Sequence, residues 1–490
     1  MNLKYIFRHL YWYLEYSMNW IRSIILALLL FLFATPPVYS ITEPVQLSYP
    51  PLTSAPSDMA IDNNGYLWIS LPSEKSVCRF DAASQSLRIL NLPMMVTKIV
   101  KIGDKLMVYQ RGSEKIFIID PSSVKIETSV ELPYPLENAW PSSRGFWAKF
   151  VGYYGLFLID LDGTIIKEYQ IEVVDYELAL SEYGSVIWYI NSDGKSVSKF
   201  DTATEVGESI QLEKFVYALI AVSQDKVWVV TSDGLLSLMS INSPTPVKTF
   251  RPKSGIIGIN KLYLIDKDRV VFVNAASGVV GEIDGDSLIE QPLGENLPTL
   301  ADMFKKSKLY FIDVKKNGFG FIVISNPPEI IAVSSTIKND YELLIEANIK
   351  DREDDIREGY PYLKVMLGNK EVATIQMIRI DENKFVGSVN VSNMDGKISI
   401  TLVAMDWGDN IVKSNIGTYS VKNGKIVTGE VTTTTTTIPS IETTTHTSEL
   451  DIGQIMMLSL ELVLLISLLA ALVVIIRRRP RKMHRSKRLK

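Results

Sequence analysis

The 490 residues are 47% hydrophobic and 22% charged, too long for one ordinary core and too apolar for a disordered protein. Nine Lys or Arg crowd residues 477–490 and three lie in the first forty; between these ends, setting aside the apolar stretch before the tail, 39 basic residues face 53 acidic ones, which argues against nucleic acid as a partner. Cys78 is the only cysteine and the three histidines, His9, His446 and His484, all lie outside the middle, so intramolecular disulfides, cysteine or histidine zinc sites, Ser-His-Asp triads and Cys-His pairs are excluded there.

Residues 24–34 are an eleven-residue apolar run between Arg22 and PPVYS, with Val38 and Ser40 two apart. This is the pattern of a signal peptide over residues 1–40, cleaved near Ser40. Met18, followed by NWIR, is an alternative start to Met1 that would give a conventional charged leader. An uncleaved anchor is the other reading, but eleven residues span only about 16 Å as helix against roughly 30 Å of hydrocarbon.

Between Val45 and Pro327 the chain repeats. The apolar triplets LWI, LMV, FWA, IWY, VWV, VVF and LYF centre on Trp68, Met107, Trp147, Trp188, Trp228, Val271 and Tyr310, spaced by 39, 40, 41, 40, 43 and 39 residues. Thirteen residues after the centre an aspartate recurs as Asp81, Asp120, Asp160, Asp201 and Asp284, while Ile241 and Val323 stand there in units five and seven. Short β-rich runs broken by Gly, Asn, Asp and Ser predict four strands per forty residues, which is one propeller blade. The triplet is the strand buried between blades, and the aspartate opens the following turn by bonding its own backbone. The expectation for residues 41–327 is a seven-bladed β-propeller, since a single blade cannot bury both faces alone. The last unit ends after GFGFIVIS without a fourth strand, and PVQLSYPP has no preceding blade, so Val45–Tyr49 is expected to close the ring.

Residues 328–425 change pattern. Alternation in YELLIEANI and KISITLVAMD predicts antiparallel strands of a β-sandwich of about 100 residues. Acids cluster at Asp351, Glu353, Asp354 and Asp355, and again at Asp406 and Asp409 beside Asn410. Asp351, Asp354, Asp355, Asp406 and Asp409 are Ca²⁺ ligand candidates if the two loops meet at one pole of the sandwich; a solvated acidic loop is the alternative. Asn390, in NVS, is the glycosylation candidate.

Residues 426–451 are a Thr-rich stalk with little to bury. Residues 452–476 form a 25-residue apolar segment interrupted by Gln454 and Glu461 and followed by RRRPRKMHRSKRLK. That is a transmembrane helix with a basic cytoplasmic tail over residues 477–490. Glu461 within it is either a helix-partner site or a snorkelling acid without a role.

The first repeat, PSDMAIDNNGYLWISLPSEKSVCRFDAAS, resembles the blades of the streptogramin (virginiamycin B) lyase group and of NHL and SMP-30 type propellers. The combination PPEI, ANIKD and AMDWGDN resembles prokaryotic extracellular Ig-like modules, with Asp409 as an insertion relative to their strand-end pattern. The first resemblance implies a propeller; the group's lyase activity also requires a histidine and acidic metal ligands inside the ring, and the histidine is missing here. The expected whole is an all-β, single-pass type I protein of a prokaryotic cell membrane, with its ectodomain outside. Its expected function is that of a surface-anchored adhesin or receptor binding cell-surface proteins or glycans, with no cofactor required. A structural envelope component and an extracellular enzyme using carboxylates and a metal are the alternatives. For the enzyme reading the candidate acids are Asp62, Glu182 and Asp225, whose placement in turns before the triplets has an equally local explanation. Cys78 reads as a small buried hydrophobe.

Overall fold

The computed structural model describes residues 41–431, with the side chains of 428–431 left aside. The expected signal segment, the membrane segment at 452–476, Glu461, the basic tail and the stalk from residue 432 lie outside the described residues. Among the described residues no helix is long and apolar enough to cross a membrane.

Residues 45–323 form seven four-stranded antiparallel sheets. The first comprises Met59–Ile61, Leu67–Leu71, Ser76–Asp81 and Ser86–Asn91. Five sheets of the same up-and-down order follow. The seventh consists of Leu300–Phe304, Lys308–Asp313 and Gly318–Val323, completed by Val45–Leu47. First strands of successive sheets touch in a closed circuit, the seventh returning to the first, so the domain is a β-propeller.

Each triplet lies on the second strand of its sheet, and six of the seven central residues, Trp68, Met107, Trp147, Trp188, Trp228 and Val271, are at most 2% exposed. They pack in clusters that span neighbouring sheets, as Trp147 and Trp188 do with Tyr169, Val216 and Val229. The indoles also hold sheets together: Trp147 Nε1 donates to Glu182 Oε2 at 2.6 Å and Trp188 Nε1 to the Ser223 carbonyl at 3.0 Å.

The recurrent aspartates sit at the ends of third strands and make the expected turns. Asp81 accepts the Ala83 N–H at 2.9 Å, Asp120 the Ser122 N–H at 3.2 Å, Asp160 the Thr164 N–H at 2.8 Å and Asp201 the Ala203 N–H at 2.9 Å. Asp284 is different. Its two oxygens take the Arg352 guanidinium at 2.8 and 2.7 Å, so the repeat position is used to bind the second domain.

Ring closure follows the expected pairing. Val45, Gln46 and Leu47 lie opposite Phe321, Gly320 and Phe319, and Ile41 is buried in the core of the last two sheets. Gly320 lets this happen: a Cβ there would meet the Val45 carbonyl and Phe311.

The second domain is a sandwich of two antiparallel sheets. One has the order Glu329–Asn339, Glu342–Lys350, Lys384–Asn390, Ile378–Asp381; the other Lys370–Gln376, Tyr362–Leu367, Gly396–Met405, Ile411–Lys422, Lys425–Val431. Period-two residues from both, including Leu343, Ile345, Leu363, Val365, Ile400 and Tyr419, fill the space between them. The last strand runs to Val431, six residues beyond the boundary expected at 425, because KIVTGEV pairs with Gly417–Lys422 before the threonine run begins.

Candidate functional site

The inner strands bind one another through short polar side chains. Asp58 Oδ2 accepts the Ile99 N–H at 3.0 Å, Asp302 Oδ2 the Ile61 N–H at 2.7 Å and Ser181 Oγ the Ala221 N–H at 3.0 Å. Each bond links one sheet to the next. Burial raises the Asp58 and Asp302 carboxyls above their ordinary range, while Lys261 lowers both. Sequence reasoning passed over these two acids; the shared Asp-Met pair in SDMAI and ADMF was the available signal.

At the mouth of the channel where first strands begin, Glu177 bridges Lys98 at 2.7 Å and Lys261 at 2.6 Å. Burial alone would raise the Glu177 carboxyl, but the two ammonium groups outweigh it and hold the pKa down at about 2. Arg111 pairs with Asp175, two residues before Glu177. These charges are spent on each other.

The opposite mouth is built differently. A cleft of about 440 Å³ opens where first strands turn into second strands, lined by residues of five sheets. Lys101, Lys305 and Lys306 line it together with Tyr183 and Tyr263. None of the three lysines forms an ion pair among the described residues, and the one acid in the lining, Glu182, is engaged by Ser143 and Trp147. Burial lowers the Lys101 ammonium, an effect offset by Asp302 and Asp62 and reinforced by Lys305. Lys305 and Lys306 form the centre of the Phe304–Ser307 turn with φ of 50° and 59°, the left-handed pair ordinarily supplied by Asn-Gly. Two lysines there cost on the order of 1 kcal/mol each. The Ser307 N–H, donating to the Phe304 carbonyl at 2.9 Å, closes the turn.

The acids expected before the triplets serve the fold. Asp62 accepts the N–H groups of Asn64 and Tyr66 and, at 2.9 Å, Trp68 Nε1. Glu182 is the partner of Trp147 already described. Asp225 accepts the Ser223 hydroxyl at 2.6 Å within its own turn. Cys78 is buried in a strand and burial pushes its thiol up to about 12, which leaves it unreactive at neutral pH.

The two acidic loops of the sandwich do meet at one pole, and that pole faces the propeller. Ile356 bridges to Asp406, and the Trp407 N–H donates to the Asp355 carbonyl at 3.1 Å. Asp351, Glu353 and Asp355 bring one oxygen each to within 4.8 Å of one another. The other candidates are occupied elsewhere: Asp354 takes Arg379 at 2.8 Å, Asp409 takes Arg357 at 2.8 Å and Lys308, and Asp406 takes the Asn410 amide at 2.6 Å and the Ser325 hydroxyl at 3.0 Å. Glu353 Oε1 accepts from Asn326 at 2.9 Å and from Arg269, which also binds Glu282. Gly408 allows this approach, since a Cβ would collide with Ser325, Asn410 and Val323. Asn390 is exposed at a strand end, its side-chain oxygen accepting the Ser392 N–H at 2.9 Å.

No protein-family model matches the chain, and no curated protein matches it. Among solved structures it is similar to virginiamycin B lyase from Staphylococcus aureus, at 12% identity over 57% of this chain and 99% of that one, with a TM-score of 0.45. BamB from Moraxella catarrhalis is similar at 13% identity, over 58% and 99% of the two chains, with a TM-score of 0.42. The Cps50 (Swd1) β-propeller domain of Myceliophteria thermophila gives 13%, 58%, 99% and 0.44.

Proposed function

We propose that this is a membrane-anchored surface protein that binds acidic cell-surface glycans at the lysine-lined mouth of a seven-bladed propeller. The observation that carries the reading is the cleft itself: three lysines that form no ion pair among the described residues, beside two tyrosines, at the centre of a closed ring. Lysines gathered in one cleft focus a positive field that attracts carboxylate or sulfate groups. Tyr183 offers an exposed ring against which a sugar face can stack.

The second domain is read as an Ig-like module. Its order of first, second, sixth and fifth strands in one sheet, opposite fourth, third, seventh, eighth and ninth in the other, supports this. The module holds the ring away from the stalk and the membrane segment expected at 452–476. A histidine-dependent lyase reaction has no support, because the ring contains no imidazole to move a proton near neutral pH.

The test is binding of the purified full chain in detergent to immobilised cell-surface glycans. Retention on uronate- or sulfate-bearing glycans, absent on neutral ones and lost in K305E/K306E, is expected. Equal retention on neutral glycans, or retention unchanged by the double variant, would refute the reading.

A further inference from the structure

The junction between propeller and sandwich holds a feature that glycan binding does not use. Residues 351–355 read Asp-Arg-Glu-Asp-Asp, and the loop curls so that its first, third and fifth residues face inward. Asp351 accepts the Glu353 N–H at 3.3 Å and the Asp355 N–H at 2.8 Å, which fixes the curl. Glu353 is 8% and Asp355 5% exposed. Both nevertheless have an oxygen without a hydrogen-bond partner: Glu353 Oε2 and Asp355 Oδ1. An orphaned buried carboxylate oxygen is costly, and two at one place call for an explanation. Their companion oxygens are satisfied, by Arg269 and Asn326 for Glu353 and by Ser307 for Asp355. The loop is therefore held by the ring on one side and presents bare oxygens on the other.

We infer that Asp351, Glu353 and Asp355 bind a Ca²⁺ ion at the propeller–sandwich junction. An all-oxygen donor set of carboxylates suits a hard cation, and the flexible shell of Ca²⁺ can be completed by water. The single positive charge of Arg269 is shared between Glu353 and Glu282, and it reaches neither Asp351 nor Asp355 among its hydrogen bonds. The ion would remove the repulsion that otherwise drives the loop apart, and would fix the curl through which Glu353 and Asp355 grip the sixth and seventh sheets. It is a structural site that sets the geometry between the two domains, separate from the ring mouth.

The full chain, stripped with EGTA, would be titrated with CaCl₂ by calorimetry and with Tb³⁺ by luminescence excited through tryptophan, Trp407 being adjacent to the loop. Expected are one Ca²⁺ per chain, sensitised Tb³⁺ emission displaced by Ca²⁺, and a rise in melting temperature on adding Ca²⁺. E353Q and D355N should weaken Ca²⁺ binding at least tenfold and abolish the rise. D354N, whose parent carboxylate holds Arg379, should bind Ca²⁺ as the native chain does. Absence of Ca²⁺ binding by the native chain would overturn the inference even if the variants fail to fold. So would full binding retained by E353Q and D355N, equal weakening in D354N, or a preference for Mg²⁺.

Discussion

Arg269 is wholly buried and gives its guanidinium to Glu282 within its own sheet, to Glu353 of the sandwich and to the Ile324 carbonyl. Truncating it to Met would leave two buried carboxylates without a cation, which ordinarily costs about 3–5 kcal/mol. Denaturant unfolding of R269M should show a loss of that order. Arg352 makes a similar-looking contact with Asp284 but is 40% exposed, and R352M should cost about 1 kcal/mol or less. Equal losses in the two variants would show that burial does not set the strength of these pairs. Neither role was visible in the sequence. Arg269 stands one residue before the VVF triplet and looks like an ordinary hairpin residue. The repeat marks Asp284 as a turn former, and only the presence of a second domain diverts it to Arg352.

At the level of strands, the most legible features were those the repeat itself enforces. Large apolar residues recur on second strands because that position is enclosed by two neighbouring sheets, and four of the five recurrent aspartates form their own turns. Closure by the N-terminal strand was legible from two complementary defects, a strand without a blade and a blade without a strand. Removing residues 41–50 would open the Gly318–Val323 edge and uncover Phe319, Ile322 and Ile324, against which Ile41, Leu47 and Tyr49 pack, so thermal melting should fall by several degrees, on the order of 2–4 kcal/mol. An unchanged melting temperature would contradict closure by this segment. Less legible were the inner strands, which are short and carry polar groups such as Asp58, Asp302 and Glu177 whose partners lie one to three sheets away. Glu177 gives these contacts a pH signature. Its folded carboxyl, held at about 2, lies below the ordinary glutamate value, so its contribution to stability is present above about pH 4.5 and is lost as pH falls toward 2. E177Q should flatten that part of the acid dependence of the melting temperature; an identical dependence in the variant would show that the Lys98–Glu177–Lys261 bridge does not contribute.

On the scale of the whole molecule the two ends of the channel are chemically unlike. At one, Glu177 bridges Lys98 and Lys261. The other gathers Lys101, Lys305 and Lys306 over a 440 Å³ cleft and bends the backbone into a left-handed turn to do so. The lysine pair could not be read as a site from sequence, because KK in a hairpin is ordinary surface and nothing in the two residue types marks the left-handed geometry the turn adopts. Calorimetry of a uronic-acid oligosaccharide against the full chain, native and K305E/K306E, measures the central claim most directly. Saturable binding that falls about a hundredfold on double charge reversal, roughly tenfold for each lysine, is the predicted result. Undiminished affinity in the double variant, or no binding by the native chain, would contradict it.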